Sequence, residues 1–195
     1  MFGNERPTRA EPGTFPSEVR NVPRPLRVLF LCTGNSARSQ IAEALLQRKG
    51  QKRFVAGSAV SHPTPAVNPL AIEVLGNHGI EWEGKRPKSL DAVRGQHWDL
   101  VITVCDRAKE ACPTFPGQPV FAHWGLPDPA EARGTHEQRL HSFHDTVQQL
   151  SRRIDLMLAL PIEKLERQAL ETRMRAIGGD EERVHATGAG ETDAR

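Results

Sequence analysis

Short unbroken apolar runs alternate along this chain with longer stretches in which apolar residues recur every three or four positions. Val28-Leu29-Phe30-Leu31 is the first run. It predicts a strand buried on both faces, because a strand covered on one side only would alternate apolar with polar. From Ile41 the period changes, and Ile41, Ala42, Leu45 and Leu46 fall on one side of a helix. Arg53–Ala59 predicts a second strand, Asp99–Val104 a third and Pro119–Ala122 a fourth. Val67, Leu70, Ala71, Val74 and Leu75 mark a helix that ends by Gly79, and a short helix is expected over 91–98. The longest helix is expected from about Thr135 to Leu160, its stripe formed by Leu140, Phe143, Val147, Leu150, Ile154 and Met157 or Leu158. Thr135 with Gln138 three residues on reads as a capping box at its start. A last helix over roughly 162–176 turns Ile162, Leu165, Ala169 and Met174 inward and is ended by Gly178-Gly179. Strands alternating with helices place the chain in the α/β class: three layers, a parallel sheet covered by helices on both faces, with ligands at the carboxyl ends of the strands.

The two ends lack either period. Residues 1–25 carry five prolines among scattered charges and are expected to be a disordered extension, and 178–195 a disordered polar tail. That leaves 26–177 as one domain in a chain of 195 residues. A net charge of +2 and a pI near 8.6 ask for neither nucleic acid nor an acidic membrane as partner. No apolar run approaches a membrane span, and no apolar stretch near the start makes a secretory leader. Three cysteines make a poor disulfide framework and suit thiol chemistry in a reducing cytoplasm, which is the expected location. No metal is expected. A zinc site from Cys105, Cys112 and His123 lacks a close-set pair, and His141 with His144 lacks a third ligand.

The chemistry concentrates between the first strand and the first helix, in Cys32-Thr33-Gly34-Asn35-Ser36-Ala37-Arg38-Ser39. A short loop of small residues entering a helix turns successive N–H groups into one concavity, which suits a tetrahedral oxyanion. Cys32 on its floor is expected to have a lowered pKa from the same dipoles. Arg38 can fork two N–H bonds onto the anion, Ser39 can donate to the thiolate, and Asn35 can brace the loop. Cys105 also follows a strand directly, so the fold brings it to the same sheet edge as Cys32. Cys112 lies seven positions beyond Cys105, and a bond between the two requires the segment to loop or unwind. Arg107 and Lys109 favour thiolate at either sulfur. Asp128 stands between Pro127 and Pro129, which keep its loop out of a helix.

Cys32-x5-Arg38-Ser39 in the form CTGNSARSQ resembles the active-site loop of the low-molecular-weight protein tyrosine phosphatases, above all the arsenate reductases built on that fold. The resemblance extends over about 26–177, including Val67–Leu75 and His123–Ala130, and implies a four-stranded parallel sheet with flanking helices. It implies a pair of redox cysteines at Cys105 and Cys112, as in the thioredoxin-coupled enzymes, and a general acid at Asp128. Cys32 would attack arsenate, Cys105 would attack Cys32 to release arsenite, and Cys112 would carry the disulfide outward. No tightly bound cofactor is implied, only an external thiol reductant, with thioredoxin ahead of other dithiol donors. The alternative is a phosphatase acting on phosphomonoesters, but phosphotyrosine enzymes often carry an aromatic residue after the Asp-Pro. Here Ala130 follows, and the chain has no tyrosine. Asn35, Glu43 and Ser58 match three ligands of a potassium site found in some relatives. Leu90 follows Lys88-Ser89 where an acid would stand, so potassium is not expected and Lys88 is the candidate for the positive charge.

Overall fold

A computed structural model describes residues 24–106, 108 and 114–179. The expected disordered ends therefore fall outside the described residues for 1–23 and 180–195, and so does Cys112 with its neighbours 109–113. The described elements are β1 (Leu26–Leu31), α1 (Arg38–Gly50), β2 (Phe54–Ala59), α2 (Pro69–Asn77), β3 (Leu100–Thr103), β4 (Val120–His123), α3 (His136–Ala159) and α4 (Arg167–Gly179). Short 3₁₀ turns lie at Leu90–Ala92, Pro129–Glu131 and Ile162–Lys164. All strand pairings are parallel, in the order β2-β1-β3-β4. The central strands β1 and β3 are the unbroken apolar runs, as burial on both faces requires.

The pleat divides the core in two. Val28 and Phe30 face a large core built from the inner sides of all four helices, with Ile41, Leu46, Leu75, Phe143, Ile154 and Met174 fully or almost fully buried. Leu29 and Leu31 face a smaller one, closed by Leu90, Val93, Trp98, Val101 and Phe115. On that face the expected helix over 91–98 is absent. Only the 3₁₀ turn Leu90–Ala92 forms, because Val93 and Trp98 must both reach the sheet, and the Trp98 indole N–H closes on the Val93 carbonyl at 3.1 Å. Gly57 in β2 makes room for this indole: a Cβ there would lie 2.7 Å from the Trp98 ring.

Thr135 and Gln138 form the capping box of α3 in both directions. The last helix differs from expectation. Ile162–Lys164 is a separate 3₁₀ turn ended by extended Leu165, and α4 begins at Arg167. Its buried stripe is Leu170, Met174 and Ile177, while Ala169 is exposed. Gly178 and Gly179 lie inside this helix, where Gly178 lets it press on β4: a Cβ there would meet the His123 carbonyl oxygen. Arg24, expected in the solvated extension, is paired with Asp99 at 2.7 Å.

Candidate active site

The register of the sheet places the two cysteines. Leu31 pairs with Thr103, and the Val104 N–H continues onto the Leu31 carbonyl at 2.9 Å. Cys32 and Cys105 thus leave adjacent strands side by side, both buried and both as free thiols. Cys105 is held by the Thr33 hydroxyl, 3.1 Å from its sulfur, and the two cysteine sulfurs are near enough for each to shift the other's acidity.

The loop after Cys32 is oriented by its carbonyls. Gly34 O accepts from Thr64 N and Oγ1, each at 3.1 Å, Asn35 O from Gln40 Nε2 at 3.1 Å, and Ser36 O from Asn68 N at 2.9 Å. In a trans peptide the next N–H points the opposite way, so the N–H groups of Asn35, Ser36 and Ala37 are turned from those partners. The helix that follows has Ala37 at its N-cap and no side-chain cap, which leaves its first-turn donors for a ligand. Asn35 takes the left-handed conformation at φ 54°, which asparagine tolerates better than most residues. It braces the loop as expected: Nδ2 donates to Ser39 Oγ at 2.9 Å and Ser58 Oγ at 2.7 Å, and Oδ1 accepts from Lys88 N at 2.7 Å. Ser39 is engaged with Asn35 rather than with a sulfur.

Beneath the loop lies a buried polar floor that no single stretch of sequence announces. Glu43, 5% exposed, accepts from Ser58 Oγ at 2.5 Å and from Lys88 Nζ at 2.9 and 3.2 Å. Gln40 joins the network through the Trp82 indole N–H at 2.8 Å. The Lys88 ammonium thus rests on the very carboxylate that matches a potassium ligand in some relatives. Among the described residues, no group of three or more His, Cys, Asp or Glu side chains is placed to hold a metal ion.

Arg38 and Asp128 come together across the loop. Arg38 Nη2 donates to Asp128 Oδ2 at 2.6 Å and Nη1 to the Leu126 carbonyl at 2.8 Å. Asp128 also caps its own 3₁₀ turn, Oδ1 accepting from Ala130 N at 3.1 Å. Sequence reasoning placed Arg38 on the anion and Asp128 on the leaving oxygen, but not the two on each other.

The charge on the sulfurs also departs from expectation. The neighbouring sulfur is the main influence on both. It lowers Cys105 to about 5 against the effect of burial, with help from Thr33, the Ala108 N–H and Arg38. It holds Cys32 well above the ordinary thiol value, as burial also does, although Arg38 and the Thr33 N–H pull the other way. The loop dipoles expected to ionise Cys32 act on a pair, in which Cys105 is the more acidic thiol and Cys32 the less acidic.

A family model described as low molecular weight phosphotyrosine protein phosphatase matches residues 27–171. The chain is 34% identical over 128 residues to the arsenate reductase of Halalkalibacterium halodurans, covering 65% of this chain and 91% of that protein. An arsenate reductase solved in the phosphate-binding state superposes with a TM-score of 0.56 at 26% identity, over 69% of this chain and 97% of that one. A low molecular weight protein tyrosine phosphatase from T. tengcongensis superposes at 0.54 with 28% identity, over 72% and 99%. No described helix is long and apolar enough to cross a membrane.

Proposed function

The chain belongs to the low molecular weight phosphotyrosine protein phosphatase family, and within it we propose that this protein is an arsenate reductase. The observation that carries the reading is the sulfur pair: Cys105 leaves the strand paired with the one that ends at Cys32, so a second buried thiol stands beside the first. A phosphatase needs the loop, the arginine and the acid, and for it Cys105 would only shield Cys32 from over-oxidation, whereas in arsenate reduction the second thiol takes part in the chemistry itself. The curated relative of H. halodurans carries the same activity in its name.

Arsenate would bind on the N–H groups of residues 33–39 and on Arg38. The Cys32 proton passes to the neighbouring Cys105 sulfur, and the resulting thiolate attacks arsenic. A hydroxyl leaves as water with a proton from Asp128. Once Cys105 has given up that proton again, its thiolate attacks the Cys32 sulfur. The S–S bond forms, the As–S bond breaks, and its electron pair stays on arsenic as arsenite. Cys112 then attacks Cys105, forming Cys105–Cys112 and freeing Cys32. The enzyme has now lost two electrons and needs an external dithiol to return them, thioredoxin being the first candidate.

Arsenate added to the protein with thioredoxin, thioredoxin reductase and NADPH should drive NADPH oxidation. Absence of oxidation with every thiol donor, glutaredoxin with glutathione and mycothiol included, would sink the reading. After one turnover without reductant, peptide mass spectrometry should find Cys105 joined to Cys112. In Cys112→Ser the Cys32–Cys105 disulfide should accumulate instead. Full steady turnover by that variant would refute the relay.

A further inference from the structure

The arginine of the oxyanion loop is engaged by the protein's own carboxylate. On a guanidinium, Nε and Nη2 present their hydrogens along one edge, the edge that grips two oxygens of a tetrahedral anion. Here Asp128 Oδ2 already holds Nη2 at 2.6 Å, while Nε is buried without a partner among the described residues. Nη1 is spent on the Leu126 carbonyl. An oxyanion that takes the whole edge must therefore displace Asp128 from Nη2. The displaced carboxylate has little room to retreat, since its other oxygen is tied to Ala130 N and prolines flank it on both sides. It stays beside the anion that displaced it.

We propose that Asp128 makes the site select oxyanions that carry a proton. Hydrogen arsenate and hydrogen phosphate bring an O–H that a carboxylate accepts, so the contact becomes a charge-assisted hydrogen bond. Sulfate at neutral pH brings none, and against it Asp128 is a like charge with nothing between. Either partner can hold the shared proton, so the same contact leaves Asp128 able to pass it to the departing oxygen. Selectivity and acid catalysis then rest on one carboxylate. The inference depends on the loop and Arg38 being the oxyanion site, as proposed above.

Calorimetric titration of the reduced full-length protein at pH 7 with inorganic phosphate and with sulfate, at matched ionic strength, tests it. In Asp128→Asn the preference for phosphate over sulfate should fall by about fivefold or more, chiefly because sulfate binds more tightly. A smaller change in that ratio overturns the proposal, as does wild-type protein that prefers sulfate. A purely structural role for Asp128 would weaken both anions alike and leave the ratio where it was. Asp128→Ser, which keeps an acceptor for Ala130 N, provides the same comparison if the asparagine variant does not fold. Arg38→Ala separates the two claims. Phosphate binding that survives it removes the oxyanion site itself, whereas binding that depends on Arg38 with an unmoved ratio in Asp128→Asn removes only the selectivity.

Discussion

Replacing Lys88 by methionine should destabilise the protein by about 2–3 kcal/mol while leaving every loop residue in place. The figure follows from the surroundings of Glu43. Its side chain is 7% exposed, and breaking a buried ion pair from one side costs about 3–5 kcal/mol because the remaining charge is stranded. Two features reduce that here. The Lys88 side chain is 35% exposed, so water can follow the lost ammonium, and the Ser58 hydroxyl and Gln47 amide still donate to the carboxylate. For a domain of this size the loss corresponds to a fall in melting temperature of roughly 5–10 °C, read by thermal denaturation of the reduced protein. The double variant Lys88→Met/Glu43→Gln, which removes the stranded charge, should recover at least half of it. A melting temperature unchanged in Lys88→Met, or a double variant no more stable than the single, would show that the ammonium neutralises nothing that matters to the fold.

Two further outcomes follow from the site and the sheet. In Cys105→Ser the main influence raising Cys32 is gone, so iodoacetamide should alkylate Cys32 at a lower pH than in wild type; in wild type Cys105 should react with a midpoint near 5, since its thiolate persists above that value and is protonated below it. Unchanged alkylation of Cys32 in the variant, followed by peptide mass spectrometry across pH, would dissolve the pair. Gly57→Ala should cost about 1–3 kcal/mol in urea denaturation, because the new methyl would sit 2.7 Å from the Trp98 ring, and a neutral effect would mean that the indole has space to move.

What the sequence made legible is what lies close together in it. Cys32 and Arg38 share one loop, and their strand and helix flanks announce what that loop is for. Cys105 needed only the rule that parallel strands gather their carboxyl ends. The floor under the loop is a different matter. Gln40, Glu43, Ser58, Trp82 and Lys88 are drawn from a helix, a strand and a long connection; only the family resemblance marked Glu43, Ser58 and Lys88, and Gln40 and Trp82 read by themselves as ordinary residues. The usable signal is that Gln40 and Glu43 are polar on the buried side of α1. The charge on the sulfurs was not legible at all, because it depends on one contact between thiols that only the assembled sheet makes. The last helix was misplaced for a simpler reason: Ile162 and Leu165 continue the helical spacing, but extended Leu165 breaks the backbone before the stripe of α4 begins.

The backbone just before Asp128 is gripped twice. Arg38 holds Leu126 O, and Arg153, reaching from α3, holds Gly125 O at 3.2 Å and Gly178 O at 3.5 Å. Two guanidiniums from different helices thus clamp consecutive peptide units immediately before the Pro-Asp-Pro turn. Backbone travel is blocked at that point, so Asp128 leaves and regains Arg38 by turning about its own side-chain bonds. Rotations of that kind run on the picosecond-to-nanosecond scale, far faster than the rearrangement of a loop. The step that sets the pace of turnover should then be sought in the traffic of sulfur atoms and not in admission of the anion. High backbone order parameters at 125–126, with no slow exchange there, would be its signature in relaxation measurements.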